Sequence, residues 1–333
     1  MSNSPLLAAR RQFIRVAVAS LCAAAAGVAP MAMAQSYPTK PITIIVPFTP
    51  GTGMDNLARI LAPELSHRLG QPVIVDNKPG ASGNIGTGVA AQAPADGHTL
   101  LVTANTFVTN ASLYKSIPYD PVKSFAPIAL ATRGALALAV NPAVPARNLS
   151  EFIKLLKANP DKYSYSSPGN GTPQHLAMEL FEANTGTRML HVPYKGSAGA
   201  ITDLLGGSVN AMVLPVHSAL SYAKSGKIVM LGLAQDKRWP AAPDLPTFSE
   251  QGVKNSDVDL WYGVLAPAGT PQPVLTRLNK EITQILALPE VREALEKQGM
   301  VPTPGPADQL ATLIRHDAKR WADVIKQANI KAD

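Results

Sequence analysis

Cysteine is almost missing from this chain of 333 residues: Cys22 stands alone near the start, so neither disulfides nor thiol chemistry are open to the rest. Catalytic signatures are missing too, with no HExxH, no paired cysteines and no GxSxG. The six histidines are scattered, and no two stand at metal-ligand spacing. Beyond the first residues no apolar run is long enough to span a bilayer. Gly86-Thr87-Gly88-Val89-Ala90-Ala91 fits the GxGxxA dinucleotide pattern only in form. A long Asn-Lys-Pro-Gly-Ala loop separates it from the strand before, and the strand after leads to Asn105 rather than an acid. Close helix packing is the better account of those glycines.

What is present begins with an address. Met1–Arg15 carries Arg10, Arg11 and Arg15 and no acid, Val16–Met33 is mostly Ala, Val and Leu, and Ala32-Met33-Ala34 supplies small residues at the cleavage positions. This is a secretory signal peptide, residues 1–34, with cutting after Ala34. Arg10-Arg11-Gln12-Phe13-Ile14 also resembles the twin-arginine motif, and an ordinary Sec signal with two adjacent arginines reads the same way. Cys22 leaves with the signal; Leu21 before it is too large for a lipoprotein site. Loss of three arginines lowers the formal charge from +7 to +4, too mild a surplus to imply nucleic acid. The destination is the periplasm.

The stretch Pro41–Leu65, PITIIVPFTPGTGMDNLARILAPEL, organises the mature chain. Ile42, Ile44, Ile45 and Val46 read as a buried strand, which Pro47 and Pro50 stop. Gly51 and Gly53 allow a tight turn and leave backbone N–H groups unobstructed. Asp55 is the expected N-cap of a helix bearing Leu57, Ile60, Leu61 and Leu65. Strand, glycine loop and helix start in that order can hold a small anion over Thr49–Met54, and a turn that binds nothing fits the same residues equally well. Asn77–Gly86 places Gly80, Ser82 and Gly83 before another helix. Ser164–Leu176 sets Gly169-Asn170-Gly171 before Thr172 as N-cap and Pro173 at the first helical position.

The mature 299 residues exceed what one core usually serves, so two lobes are expected. Strands are expected at Val73–Val75, Thr99–Thr103, Ala135–Val140, Ser164–Ser166, Met189–Val192, Ala211–Leu214 and Val229–Ala234. Helices are expected at Ile85–Ala93, Leu149–Ala158, Pro173–Asn184, Gly199–Leu205 and Val216–Lys224. The alternation implies largely parallel sheets covered by helices. Val274–Ala287, Pro289–Gln298 and Asp308–Gln327 read as helices with no strand between them. Most of the 30 prolines and 24 glycines punctuate the joints.

Several separated motifs, PFTPGTGMDNLAR, VDNKPGASGNIG, LYKSIPYDPVKSFAPI, SPGNGTPQHLAMELF, HVPYKGSAGAITDLLGG and WYGVLAPAGTP followed by LNKEI, together resemble the solute-binding receptors of tripartite tricarboxylate transporters. The match covers essentially all of the mature chain. The resemblance implies an α/β, two-lobed periplasmic binding protein of type II, with two crossing hinge strands and a cleft between lobes. Lobe 1 would comprise 35–136 and 262–333 and lobe 2 137–261, with crossings near Arg133–Asn141 and Asp257–Ala266. It also implies a carboxylate held by Phe48–Asp55 and Gly169–His175, largely through backbone N–H groups and bridging water. The candidate ligand-binding residues are Phe48, Thr49, Gly51, Thr52, Gly53, Asp55, Ala81, Ser82, Asn105, Gly169, Asn170, Gly171, Thr172, His175, Leu214 and His217. No catalytic residue, metal or cofactor is expected. Thr52 stands where the family usually has a second glycine, and Leu214-Pro215 where it often has Asp-Asn. Leu214 in place of an acid points to a ligand with a larger apolar body, aromatic or long-chain, and packing explains Leu214 as well.

Other residues have bland readings. Trp239 and Trp261 fit core or hinge anchors, and His175 fits a cleft lining better than a catalytic base. Tyr114, Tyr194 and Tyr262 fit either the cleft or buried structural roles. Lys195 is attractive as a counter-charge, although a lysine in a solvated turn is usually only surface. The function implied is capture of a small carboxylic acid, aromatic or dicarboxylic, by a monomer that delivers it to transporter membrane subunits without contact to nucleic acid. A ligand-sensing receptor for a regulatory partner, and less readily a periplasmic enzyme, are the alternatives. Mass spectrometry of the periplasmic fraction should find a mature terminus at Gln35; uncleaved protein in the inner membrane would count against the signal.

Overall fold

The computed structural model describes residues 37–327 and 330, so the signal peptide, Cys22 and the cleavage site lie outside the described residues. Residues from Lys40 onward form one compact unit. Strand β1 (Ile42–Val46) runs into helix α1 (Gly53–Leu69), followed by β2 (Val73–Asn77), α2 (Asn84–Ala91), β3 (Thr99–Ala104), α3 (Thr106–Leu113) and β4 (Phe125–Gly134). Then come β5 (Leu136–Val140), α4 (Leu149–Ala158), β6 (Ser164–Ser167), α5 (Pro173–Thr185), β7 (Leu190–Pro193), α6 (Ser197–Gly206), β8 (Ala211–Pro215), α7 (Val216–Lys224) and β9 (Val229–Leu233). The last part holds β10 (Leu260–Pro267), α8 (Gln272–Leu286), α9 (Pro289–Lys297), β11 (Met300–Pro302) and α10 (Ala307–Gln327).

Two sheets result, ordered β11-β4-β10-β3-β1-β2 and β7-β6-β8-β5-β9. The chain leaves the first sheet at Gly134 and returns at Leu260, so two segments cross between the lobes. These crossings overturn the expectation of largely parallel sheets. β1 pairs parallel with β2 and β3, and β6 with β7 and β8, whereas β10 lies antiparallel to β3 and β4, and β5 to β8 and β9. A strand arriving from the other lobe enters against the direction of the local βαβ units, which makes each sheet mixed. The expectation of no strand among the last helices is also corrected, because β11 pairs with β4.

The apolar run of β1 is wholly enclosed, with Ile42, Ile44 and Val46 all at 0 % exposure. Elsewhere in that lobe, Trp261 of β10 is equally buried, stands edge-on to Phe107 of α3, and donates through Nε1 to Asp317 of α10 at 2.8 Å. The indole therefore ties the C-terminal helix to the returning strand and serves as a hinge anchor. The GxGxxA glycines are packing residues as expected. A Cβ at Gly86 would overlap the Lys78 carbonyl and Pro47, and one at Gly88 would overlap Pro118.

One helix carries an electrostatic load. Glu182 of α5 is pushed up from 4.5 to about 8, first by burial and next by the nearby Glu179 carboxylate. A carboxyl raised in the folded state adds stability that is full below the unfolded value and lost as pH rises through the folded one. Glu182→Gln keeps an acceptor for the Met189 N–H, so the variant should melt close to wild type below about pH 4.5. As pH climbs from there to about 8, it should melt at progressively higher temperature than wild type. A melting-temperature difference that stays flat across that window would contradict the burial account.

Candidate functional site

The first βα loop is held by its own carboxylate. Thr52, not Asp55, is the N-cap of α1: its backbone is extended, and its hydroxyl accepts the Asp55 N–H at 3.5 Å. Asp55, one turn into the helix, is 2 % exposed and reaches back to accept the Gly51 N–H at 2.9 Å. It also accepts Arg59 Nε and Asn77 Nδ2, both at 3.0 Å. Burial alone would raise this carboxyl, and the bonds from Arg59, Gly51 and Asn77 outweigh it and hold the group below its ordinary value. The expected capping role thus passes to Thr52, because a hydroxyl before the first turn meets the free N–H groups while a carboxylate inside it meets the loop. Gly53 has a separate reason to be glycine: a Cβ there would overlap the buried Tyr262 ring.

The second loop is strained. Gly80, Ala81, Ser82 and Gly83 all have positive φ, at 133°, 47°, 51° and 89°. Left-handed backbone at Ala81 and Ser82 costs about 1–2 kcal/mol each. α3 holds it in place: Asn110 Nδ2 donates to the Ser82 carbonyl at 2.9 Å, and the Tyr114 hydroxyl donates to Ser82 Oγ at 3.0 Å.

The third loop, between β6 and α5, rests on a buried aromatic column. Thr172 caps α5, accepting the His175 N–H at 3.4 Å and donating to the Gly169 carbonyl at 2.7 Å. His175, 1 % exposed, accepts the Gly171 N–H on Nδ1 at 3.1 Å, so its proton sits on Nε2, which faces Glu179 Oε1 at 3.6 Å. Its ring stacks on His191 at 4.3 Å, and His191 stacks on Tyr165 at 4.7 Å. His191 meets Ser167 Oγ at 2.7 Å, and Ser167 Oγ accepts the Gly169 N–H at 3.2 Å. The Gly171 N–H is thereby held by an imidazole directly, and the Gly169 N–H by a Ser167 hydroxyl that His191 braces. His175, nearly enclosed, supports the loop.

These loops meet. A cavity of about 200 Å³ has residues 80–83 and Phe48 on one wall, and residues 168–170 and 193–195 on the other. Around it, glycines of the second lobe abut side chains of the first. A Cβ at Gly169 would stand 3.2 Å from Ser82 Oγ, one at Gly171 2.5 Å from Asn110 Oδ1, and one at Gly196 would overlap Thr49 Oγ1. The Thr109 hydroxyl of α3 donates across the cleft to the Gly171 carbonyl at 2.6 Å.

Of the sequence candidates, Phe48, Ala81, Ser82, Gly169 and Asn170 line the cavity, with Thr49 at its edge. Gly51, Thr52, Gly53, Asp55, Gly171, Thr172 and His175 build the loops from behind. Asn105 is elsewhere: it donates to the Asp259 carbonyl and accepts the Trp261 N–H at 3.5 Å, pinning the start of β10. Leu214, at 0 % exposure, packs in the second lobe's core with Ala137 and Leu233, which removes the basis for inferring an apolar ligand body from it. His217 packs against Gly299, and burial pushes its imidazole down to about 4. Sequence reasoning undervalues the β7–α6 turn, where Pro193, Tyr194 and Lys195 reach the cavity. The signal is there: Gly196 between a strand and a helix repeats the order seen in the first loop. The Tyr194 hydroxyl donates to Asp203, and this bond foremost raises the phenol to about 12.

Two α/β lobes joined by two crossing segments, with a cavity walled by both, define a bilobal binding protein. The chain belongs to the tripartite tricarboxylate transporter receptor family, whose model matches residues 57–330. It is similar to the solved periplasmic binding protein BugD, at 36 % identity and a TM-score of 0.83 over 89 % of this chain and 99 % of that one. A Rhodopseudomonas palustris protein solved with adipate superposes at a TM-score of 0.84 and 33 % identity, covering 89 % and 99 % of the two chains. MatC of the same organism, solved with malate, gives 0.82 and 30 %, covering 87 % and 100 %. The chain is accordingly a solute-binding protein and not an enzyme. Among the described residues no helix is long and apolar enough to cross a membrane.

The histidine column has a direct test. His175→Asn places an amide oxygen where Nδ1 stands, whereas His175→Leu offers no acceptor. By native-state hydrogen exchange, the Gly171 amide should exchange roughly tenfold faster in the Leu variant and near wild-type rate in the Asn variant. Equal rates in all three proteins would mean that the imidazole does not hold this loop.

Proposed function

We propose that this chain is a periplasmic receptor that captures a small carboxylic acid in the interlobe cavity and delivers it to transporter membrane subunits. The observation that carries this reading is the chemistry of the cavity wall. Its lining includes no acidic side chain, four glycine or alanine positions that admit close approach of backbone, the amide of Asn170 and one lysine. A carboxylate entering there meets oriented dipoles and bridging water instead of repulsion. Relatives solved with adipate and malate support the ligand class. The N-terminal export signal and the likeness to BugD support the compartment.

We assign lobe 1 to residues 40–134 with 260–327 and lobe 2 to 135–259, because the chain leaves the first sheet at Gly134 and re-enters it at Leu260. The binding set on this reading is Phe48, Thr49, Ala81, Ser82, Gly169 and Asn170, with Gly51, Thr52, Gly53, Asp55, Gly171, Thr172 and His175 shaping it. Asn105, Leu214 and His217 act in the hinge and the core.

A thermal-shift screen across aliphatic and aromatic mono-, di- and tricarboxylates tests the reading. A ligand at a hundredfold excess over its dissociation constant adds about 2.7 kcal/mol to the folded state, so the true ligand should raise the melting temperature visibly and be recovered unchanged. Failure of every acid to shift melting, with protein of native circular dichroism, would remove the carboxylate from the cleft.

A further inference from the structure

We propose that Lys195 is the specificity determinant that makes the cleft prefer a dicarboxylate over the matching monocarboxylate; this rests on the carboxylate-receptor reading above. The two walls of the cavity differ in charge. The first-lobe wall, Phe48 and residues 80–83, has no ionisable side chain, and the second-lobe wall has one cation, Lys195. Cations elsewhere near the cleft loops and the hinge are already neutralised. Arg59 is held by Asp55 at 3.0 Å, Lys78 by Asp76 at 2.9 Å, and Arg133 by Asp259 at 3.5 Å. Lys195 has no ion pair among the described residues. The carboxylate closest in sequence on α6, Asp203, is engaged by the Tyr194 hydroxyl.

Its place is also fixed. Gly196, next in the chain, has a φ of 153° and lies against Thr49 Oγ1 of the other lobe, so the backbone carrying Lys195 is seated in the closure seam. A single carboxylate is satisfied by backbone dipoles and the Asn170 amide, which need no counter-charge. The ammonium of Lys195, on the second-lobe wall with Asn170, then attracts a second anionic group, and a flexible four-carbon stem lets it follow acids of different length. The exposed position of the residue keeps the effect moderate.

Isothermal titration of the mature protein with adipate and hexanoate, which share a six-carbon body, measures the preference directly. Wild type should bind adipate more tightly than hexanoate. Lys195→Met should weaken adipate by about tenfold and leave hexanoate within about twofold, and Lys195→Arg should restore most of the adipate affinity. The adipate advantage of wild type should shrink with added salt. Equal weakening of both acids, or an adipate preference that survives Lys195→Met, would overturn the inference. Wild type that binds hexanoate as well as adipate would overturn it while leaving the carboxylate reading standing. Wild type that binds neither these nor the matched pair malate and 3-hydroxybutyrate would overturn the inference, and failure of every acid in the thermal-shift screen would bring down the carboxylate reading as well.

Discussion

Gly171 is where the two halves of the molecule are joined at the cleft. Its N–H is fixed from within its own lobe by His175, and its carbonyl is taken from the opposite lobe by Thr109. Its φ of 73° excludes ordinary residues, and the space a Cβ would need is filled by Asn110. One residue without a side chain thus transmits the position of a buried imidazole to the surface of another lobe. The arrangement tolerates almost no displacement, since the same Asn110 also braces the strained Ser82 turn and bonds Asn84 at the start of α2.

The binding loops therefore form a bonded set. Strain stored at Ala81 and Ser82 is retained because Asn110 of α3 and Tyr114, which caps α3, each donate a hydrogen bond to Ser82, and α3 in turn touches the second lobe through Thr109. Asp55 performs an equivalent task for the first loop, directing its charge onto Gly51, Arg59 and Asn77. What the loops present toward the cavity is consequently backbone, amide and small side chains. Charge is kept behind the wall, except at Lys195.

Much of this is legible in the sequence. The strand of Ile42–Val46, the glycine loop after it and the Thr172-Pro173 helix start depend on local chemistry, and the described elements match them closely. The N-cap falls to Thr52 because a hydroxyl three residues before a carboxylate competes for the same N–H groups, and only coordinates rank the two. Parallel pairing is overestimated from sequence since strand direction at β4, β5 and β10 is decided by lobe crossing, which leaves no periodic trace. β11 is three residues long and exists through its pairing with β4. Proximity to a motif suggests Leu214 and His217 for the cleft, and tertiary packing places Leu214 in the second lobe's core and His217 against Gly299. The usual habit of lysines argues against Lys195, a rule that ignores where the following glycine pins the turn.

The contacts across the cleft also limit what closure can achieve alone. The Thr109–Gly171 hydrogen bond contributes about 1 kcal/mol net, less than a tenfold bias between open and closed forms. Gly169 and Gly196 add van der Waals contact but no side-chain bonds to the other lobe of the kind that would lock it. Driving a two-state equilibrium from one extreme to the other takes about 5.5 kcal/mol of differential affinity. The remainder must come from a ligand that touches both walls at once, and a ligand that engages only residues 80–83 or only residues 193–195 shifts nothing. A cavity divided between lobes, with backbone dipoles on both walls and a lysine on one, makes closure depend on a molecule with something to offer each of them.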